Sequence, residues 1–311
     1  ETQGAGKAEG KAEEQNEREG TTGAMLLLHE KKFVALSMVS QRSNDPVEIP
    51  FAPRYALAMP ELTDLTRAAN DWLSLDAIPD YPGAINGLQL ENSGQVTKIA
   101  AAVDACLPVI EQACAAGANL LVVHHGLFWQ GAQRIEGALY RKLKLAMDHD
   151  LAIYSAHLPL DVHPELGNNA LLYAALELEP AARPFFPWKG MDLGVRATVE
   201  IPREELLAKV AAATGTTPHL CPGGPALVRE IGIITGGAGS QIHDLAATGI
   251  DTFLTGEGPH WSYTAAEELG INLIYAGHYA TETFGVKALA KRWAAEWPGL
   301  EVSFIDHPTG L

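Results

Sequence analysis

Two stretches decide how this chain folds: Ala118-Asn119-Leu120-Leu121-Val122-Val123-His124-His125-Gly126-Leu127-Phe128-Trp129 and, far downstream, Ile250-Asp251-Thr252-Phe253-Leu254-Thr255-Gly256-Glu257-Gly258-Pro259-His260-Trp261. In each, a short apolar run gives way to a mixture of glycine and side chains able to bind metal, and then to tryptophan. A second matched pair follows. Ser155-Ala156-His157-Leu158-Pro159-Leu160-Asp161 echoes Ala276-Gly277-His278-Tyr279-Ala280-Thr281-Glu282, and in both a histidine precedes a carboxylate by four residues. Internal repetition of this kind marks a duplicated unit. Short apolar runs bounded by turn residues read as buried strands.

Outward from these runs the chain alternates strand and helix. Strands are expected at 96–103, 120–123 and 152–155, with helices at 107–116 and 139–149 between them. The second half repeats the pattern, with strands at 231–235, 252–255 and 272–275 and helices at 241–248 and 264–269. Such alternation implies an α/β fold of two pseudo-duplicated lobes, with helices packed on mostly parallel sheets. Ligands of such sheets gather beyond the carboxyl ends of the strands, which is where His124, His125, His157, Glu257 and His278 fall. The upstream echoes are offset further than the downstream ones, so the first unit is the longer, and the extra length is placed in the loop at 130–137.

At 311 residues, 47% apolar and 19% charged, the chain has enough to bury one large core or two modest ones. Helical periodicity first appears at Pro60-Glu61-Leu62-Thr63-Asp64-Leu65, so the folded part is expected to begin near Met59. Residues 1–58 are expected to be a disordered or non-native extension, being polar at first and then interrupted by Pro46, Pro50 and Pro53. Residues 59–311 then form one unit, divided into approximate, interlinked lobes at 59–185 and 186–311.

A net charge of -16 argues against nucleic acid or an anionic membrane as a partner. The three cysteines, Cys106, Cys114 and Cys221, form no Cys-x-x-Cys pair, which disfavours a disulfide framework and points to a reducing cytoplasm. No run reaches the roughly 18 apolar residues of a membrane span. Met25-Leu26-Leu27-Leu28 is cut short by His29-Glu30-Lys31-Lys32, so a signal peptide is not expected either.

The chemistry concentrates in a few side chains. Adjacent residues at a strand end point to opposite faces, so His124 and His125 each suit one of two neighbouring ions. Asp161 lies in a loop feeding a helix at 170–177, with Asn168 expected as its N-cap. Glu282 opens the last helix, at 283–297, where the helix dipole favours a carboxylate. Together, His124, His125, Asp161, His278 and Glu282 can hold two divalent ions. Nitrogen and oxygen donors without thiolate suit zinc, manganese, iron or cobalt. Glu282 or Asp161 is the expected bridge.

His157, Glu257, His163 and His260 are expected behind the ligands or in proton transfer. Trp129 and Trp261 are expected to be packing residues, and Thr235-Gly236-Gly237-Ala238-Gly239-Ser240 a tight turn rather than an anion cradle. No Gly-x-Ser-x-Gly elbow supports serine catalysis.

The combination of Ile85-Asn86-Gly87-Leu88-Gln89, His124-His125-Gly126-Leu127-Phe128-Trp129, His157-Leu158-Pro159-Leu160-Asp161, Gly167-Asn168-Asn169, Thr255-Gly256-Glu257 and Gly277-His278-Tyr279-Ala280-Thr281-Glu282 resembles the NGG-one-interacting-factor-three-like family. Its members are also called dinuclear metal centre hexameric proteins or type 2 homologues of GTP cyclohydrolase 1. The resemblance runs from about Met59 to the end of the chain. It implies two interlinked α/β lobes, a toroidal homohexamer, and a pair of divalent metals on the same five residues. It also implies a hydrolase acting on a small molecule, by its name a purine nucleotide whose imidazole ring is opened with release of formate. The alternative is a non-catalytic toroidal scaffold that binds metal or a partner protein. The interval between Ala182 and Val228 is too short for the additional domain some relatives insert there.

Overall fold

The structure, a computed structural model, describes residues 59–311. The expectations for residues 1–58 lie outside the described residues. In the first half, α1 (Leu62–Trp72) and β1 (Gly87–Leu90) precede β2 (Lys98–Asp104), α2 (Leu107–Ala115), β3 (Leu120–His125), α3 (Gly137–Asp148) and β4 (Ala152–Ser155). A single turn, α4 (Leu158–Asp161), leads to α5 (Asn168–Ala175). The second half contains β5 (Arg183–Trp188), β6 (Met191–Pro202), α6 (Arg203–Thr214), β7 (His219–Pro222), β8 (Leu227–Ile233), α7 (Ile242–Ala246), β9 (Thr252–Thr255), α8 (Trp261–Leu269) and β10 (Asn272–Tyr275). Another single turn, α9 (His278–Thr281), then α10 (Thr283–Glu296) and β11 (Glu301–Phe304) close the chain.

Two sheets result. The first has the order β1-β4-β3-β2-β11 and is parallel except for its edge strand β1. The second, β5-β6-β8-β9-β10-β7, is parallel only at its centre, across β8, β9 and β10. Its remaining pairs are antiparallel.

Successive strand residues face opposite sides, which explains the unbroken apolar run of β3. Leu120 and Val122 join one core with Ile99, Ala101 and Tyr154. Leu121 and Val123 join another, with α2 and α3, through Val109, Ile110, Leu139 and Leu143. A parallel sheet covered on both faces needs apolar residues at every position. The second sheet is likewise covered on both faces, by α5 and α6 on one side and by α7 and α8 on the other.

The two halves exchange helices. α5 follows the first sheet in sequence, yet it buries Leu172, Tyr173 and Leu176 against the second. α10 follows the second sheet, yet Val286, Leu289, Ala290 and Trp293 pack on the first, at the three- and four-residue spacing of one helical face. The Trp293 indole also donates to Leu65 O at 3.0 Å, and β11 pairs in parallel with β2. The approximate boundary expected at 185/186 falls inside β5. β5, from Arg183, already belongs to the second sheet, while 283–304 return to the first because their apolar face is matched there.

Sequence periodicity missed β1, β5, β6, α6, β7 and β11. Pro184 and Pro187 mask β5, which tolerates proline because it lies at a sheet edge. The expected helix at 241–248 is a short 3-10 turn, Ala238–Gln241, followed by the brief α7.

Candidate metal centre

Four histidines from three strand ends turn the same edge towards one point. His124 and His125 close β3, His157 follows β4 and His278 follows β10. Each has its Nδ1 engaged: His124 with Ala156 O at 2.8 Å, His125 with Asp104 Oδ1 at 2.9 Å, His157 with Asp80 Oδ1 at 2.9 Å and His278 with Glu257 Oε1 at 2.8 Å. Partners of this kind fix ring orientation and leave Nε2 for a ligand.

Glu282 stands in the middle and is only 3% exposed. Its Oε1 lies 3.4 Å from His124 Nε2, and its Oε2 lies 3.4 Å from His125 Nε2 and 3.1 Å from His278 Nε2. Asp161 Oδ2 is 3.4 Å from His124 Nε2. Two triads follow, His124-Asp161-Glu282 and His125-His278-Glu282, each with donor atoms within 4.8 Å of one another. They share Glu282, one oxygen facing each.

Two observations show that these residues suit cations. His124 Nε2 and Glu282 Oε2 are buried without a hydrogen-bond partner, which proteins rarely tolerate unless something else fills the role. The spacing also agrees, since donors of one tetrahedral ion stand about 3.3–3.6 Å apart when each is about 2.0–2.2 Å from it. His157 forms a third group with His124 and His125, its ring 4.9 Å from that of His124.

The electrostatics belong to a coupled cluster. Burial alone would lower the His124 imidazole, but the Asp161 and Glu282 carboxylates hold it well above its ordinary value. Burial would raise Glu282, but the imidazoles of His124, His278 and His125 hold it well below the usual range. His278, lowered by burial and raised by Glu282 and Glu257, stands at about 9. At Asp80, burial is outweighed by the hydrogen bonds from His157 and Asn86, which keep the carboxyl low.

Asp161 is not in an open loop. It ends the turn α4, is 6% exposed, and accepts from Asn168 Nδ2 at 2.7 Å and Thr235 Oγ1 at 3.2 Å on Oδ1. Gly167, not Asn168, is the N-cap of α5, because the Asn168 side chain is committed to Asp161 and to the Gly285 N–H. Asn169 links Asp161 O, Leu193 O and the Thr235 N–H. Gly236, at φ +71, is where the glycine loop passes Glu282, and a Cβ there would collide with Oε1.

Not every expected residue joins the cluster. His163 uses Nδ1 to accept the Glu165 and Leu166 backbone N–H groups and shares a second pocket with Asp161 and Asn169 instead of lining the cleft over the cluster. His260 is exposed at the start of α8. Trp129 is 37% exposed and walls the site beside His157, at 4.7 Å between ring centres, instead of packing in a core. Trp261 is 47% exposed and stacks on His243. The sequence reading missed Asp104 and Asp80. Asp104 ends β2 level with His125, so the strand-end rule was sufficient to find it. Asp80 sits in an irregular segment between Pro79 and Pro82 and gave no signal.

A cleft of about 530 Å³ opens onto the cluster, lined by His125, His157, Asp161, His278 and Glu282 among others. Among the described residues, no helix is long and apolar enough to cross a membrane.

The sequence pattern of the family described as Duf34/NIF3 (NGG1p interacting factor 3) matches residues 60–310. A Deinococcus radiodurans protein named GTP cyclohydrolase 1 type 2 homolog is 40% identical over 250 residues, which cover 80% of this chain and 94% of the relative. A Pyrococcus abyssi protein of the same name is 38% identical, over 81% of this chain and all (100%) of the relative. Among solved structures, the protein ybgI, described as of unknown function, superposes with a TM-score of 0.74 at 37% identity, over 81% of this chain and 100% of its own. A Thermus thermophilus protein gives 0.72 at 36% identity, with the same coverage of 81% and 100%.

Proposed function

The chain belongs to the Duf34/NIF3 family, and on that premise we propose that it is a dinuclear metal-dependent hydrolase of a small molecule, with His124, His125, Asp161, His278 and Glu282 holding two divalent cations. The observation that carries this reading is the placement of Glu282, each oxygen turned to a different ligand triad. Zinc, manganese, iron or cobalt would suit the donors. When bound, such a pair supplies Lewis acidity and brings the ionisation of water towards about pH 7.

The chain's own residues do the rest. Asp104, Glu257 and the Ala156 carbonyl orient the three ligand imidazoles, while Asn168 and Thr235 aim Asp161. Asp80 holds His157 by Nδ1, so its Nε2 is placed to hand a proton to or from a molecule in the cleft. A purely structural site would be closed. Here His125, His278 and Glu282 line an accessible cleft, which favours catalysis over a non-catalytic toroidal scaffold.

The name carried by the relatives makes the guanine imidazole ring of GTP the first bond to test. A cytoplasmic homohexamer is part of the same proposal. Protein purified without added metal would be assayed for metal content, then for turnover of GTP and of a panel of phosphoesters and amides, as wild type and as Asp161→Ala. Metal-dependent hydrolysis lost in Asp161→Ala is expected. Metal-independent turnover, or turnover of nothing, would overturn the reading.

A further inference from the structure

The cleft has two unlike walls. One carries the imidazoles and carboxylates; the other is aromatic. The β5-β6 hairpin brings Phe186 and Trp188 into the cleft, and Lys189 at its turn donates to Asp80 O at 3.4 Å, tying the hairpin to the first half of the chain. Tyr81 meets the Trp188 ring at 5.4 Å between centres.

Phe186 has φ +70, a left-handed conformation that a bulky side chain seldom holds. It is the residue the ladder skips between Phe185↔Gly194 and Pro187↔Asp192. Its neighbour Phe185 is buried in the core, while Phe186 faces the cleft. Residues held in such conformations cluster at sites that handle ligands.

Among the described residues, the lining includes no Lys or Arg, the side chains that normally grip a phosphate chain. The Lys189 ammonium instead lies 4.2 Å from the centre of the Trp188 ring. At about 530 Å³ the cleft falls in the size range of small-molecule sites.

We propose, resting on the hydrolase reading of the same cleft, that its substrate carries a flat aromatic ring of nucleobase or nucleoside size. The ring is seated against Trp188, Phe186 and Tyr81 rather than gripped through a phosphate, and its reacting edge faces His157 and Glu282. Every base has a π-face to offer such a wall. Selection here is by flatness and size.

Zinc-loaded protein would be titrated calorimetrically with guanosine, and with ribose 5-phosphate as a ringless control, in wild type, Trp188→Leu and Phe186→Leu. Leucine keeps apolar bulk at the hairpin and removes the ring. Guanosine is expected to bind and ribose 5-phosphate not to, with guanosine affinity falling about tenfold or more in Trp188→Leu at unchanged zinc content. The proposal is overturned if ribose 5-phosphate binds as tightly as guanosine, if both variants bind guanosine as wild type does, or if zinc-loaded wild type ignores guanosine. Protein that takes up no zinc would sink the hydrolase reading instead, and the same titrations on metal-free protein would still decide the ring site.

Discussion

Asn168 donates through its side-chain amide to Asp161 Oδ1 at 2.7 Å, and the same side chain accepts the Gly285 backbone N–H at 2.7 Å. One buried amide thus aims a candidate ligand from α4 and pins the first turn of α10, which begins directly after Glu282.

Asn168→Ala should therefore weaken metal binding and folding together. Each buried group left unsatisfied costs about 1–3 kcal/mol, and loss of a residue that orients a ligand costs about 10–100-fold in metal affinity. Denaturation of the metal-free protein measures the first effect and metal titration the second. Unchanged affinity would show that Asp161 does not need this support.

Gly236 gives a cleaner test of the crowding around Glu282. Gly236→Ala must hold a side chain at φ +71 and drive a Cβ into Glu282 Oε1. Gly215, which closes α6, has φ +70 with nothing within 4 Å of a Cβ. Gly215→Ala should cost only the backbone strain, about 1–2 kcal/mol, whereas Gly236→Ala should also lose metal stoichiometry as Glu282 is pushed aside. Equal behaviour of the two variants in metal analysis would refute the packing argument.

The strand ends and the side chains that cluster beyond them were legible in the sequence because both follow local rules. An apolar run ending in His124-His125 is readable at once, as is a histidine four residues before a carboxylate. Asp104 obeys the same strand-end rule without the neighbouring histidine that draws attention to it. What sequence could not show was set by distant packing. Asn168 looked like a helix cap, since its attachment to Gly285 spans most of the second half of the chain. Trp129 looked like core because a tryptophan's surroundings are not written beside it. The helix exchange was hidden because the apolar stripe on α10 states that it has a partner without stating which sheet that is.

Removing metal should leave the fold in place. Each sheet has apolar cores on both faces, and none of them depends on the ligand side chains. Chelation should preserve the far-ultraviolet circular dichroism and lower the melting temperature only through the lost binding free energy, about 2.7 kcal/mol for each ion when metal had been present at a hundred times its Kd. Loss of helical signal on chelation would mean that the cations are structural.

The exchange of α5 and α10 should make the two halves unfold together. Trp293 is fully buried among α1, Tyr154 and Trp72, and its indole N–H is satisfied by Leu65 O. Trp293→Ala should cost about 3–5 kcal/mol. Its effect should reach the second sheet as well as the first, because α10 starts at the residue after Glu282 and also contacts α5. Urea titrations followed by tryptophan fluorescence and by circular dichroism should give coincident midpoints, lowered in the variant, as a single cooperative transition requires. Separate transitions, with only one displaced by Trp293→Ala, would show that the exchanged helices do not couple the sheets.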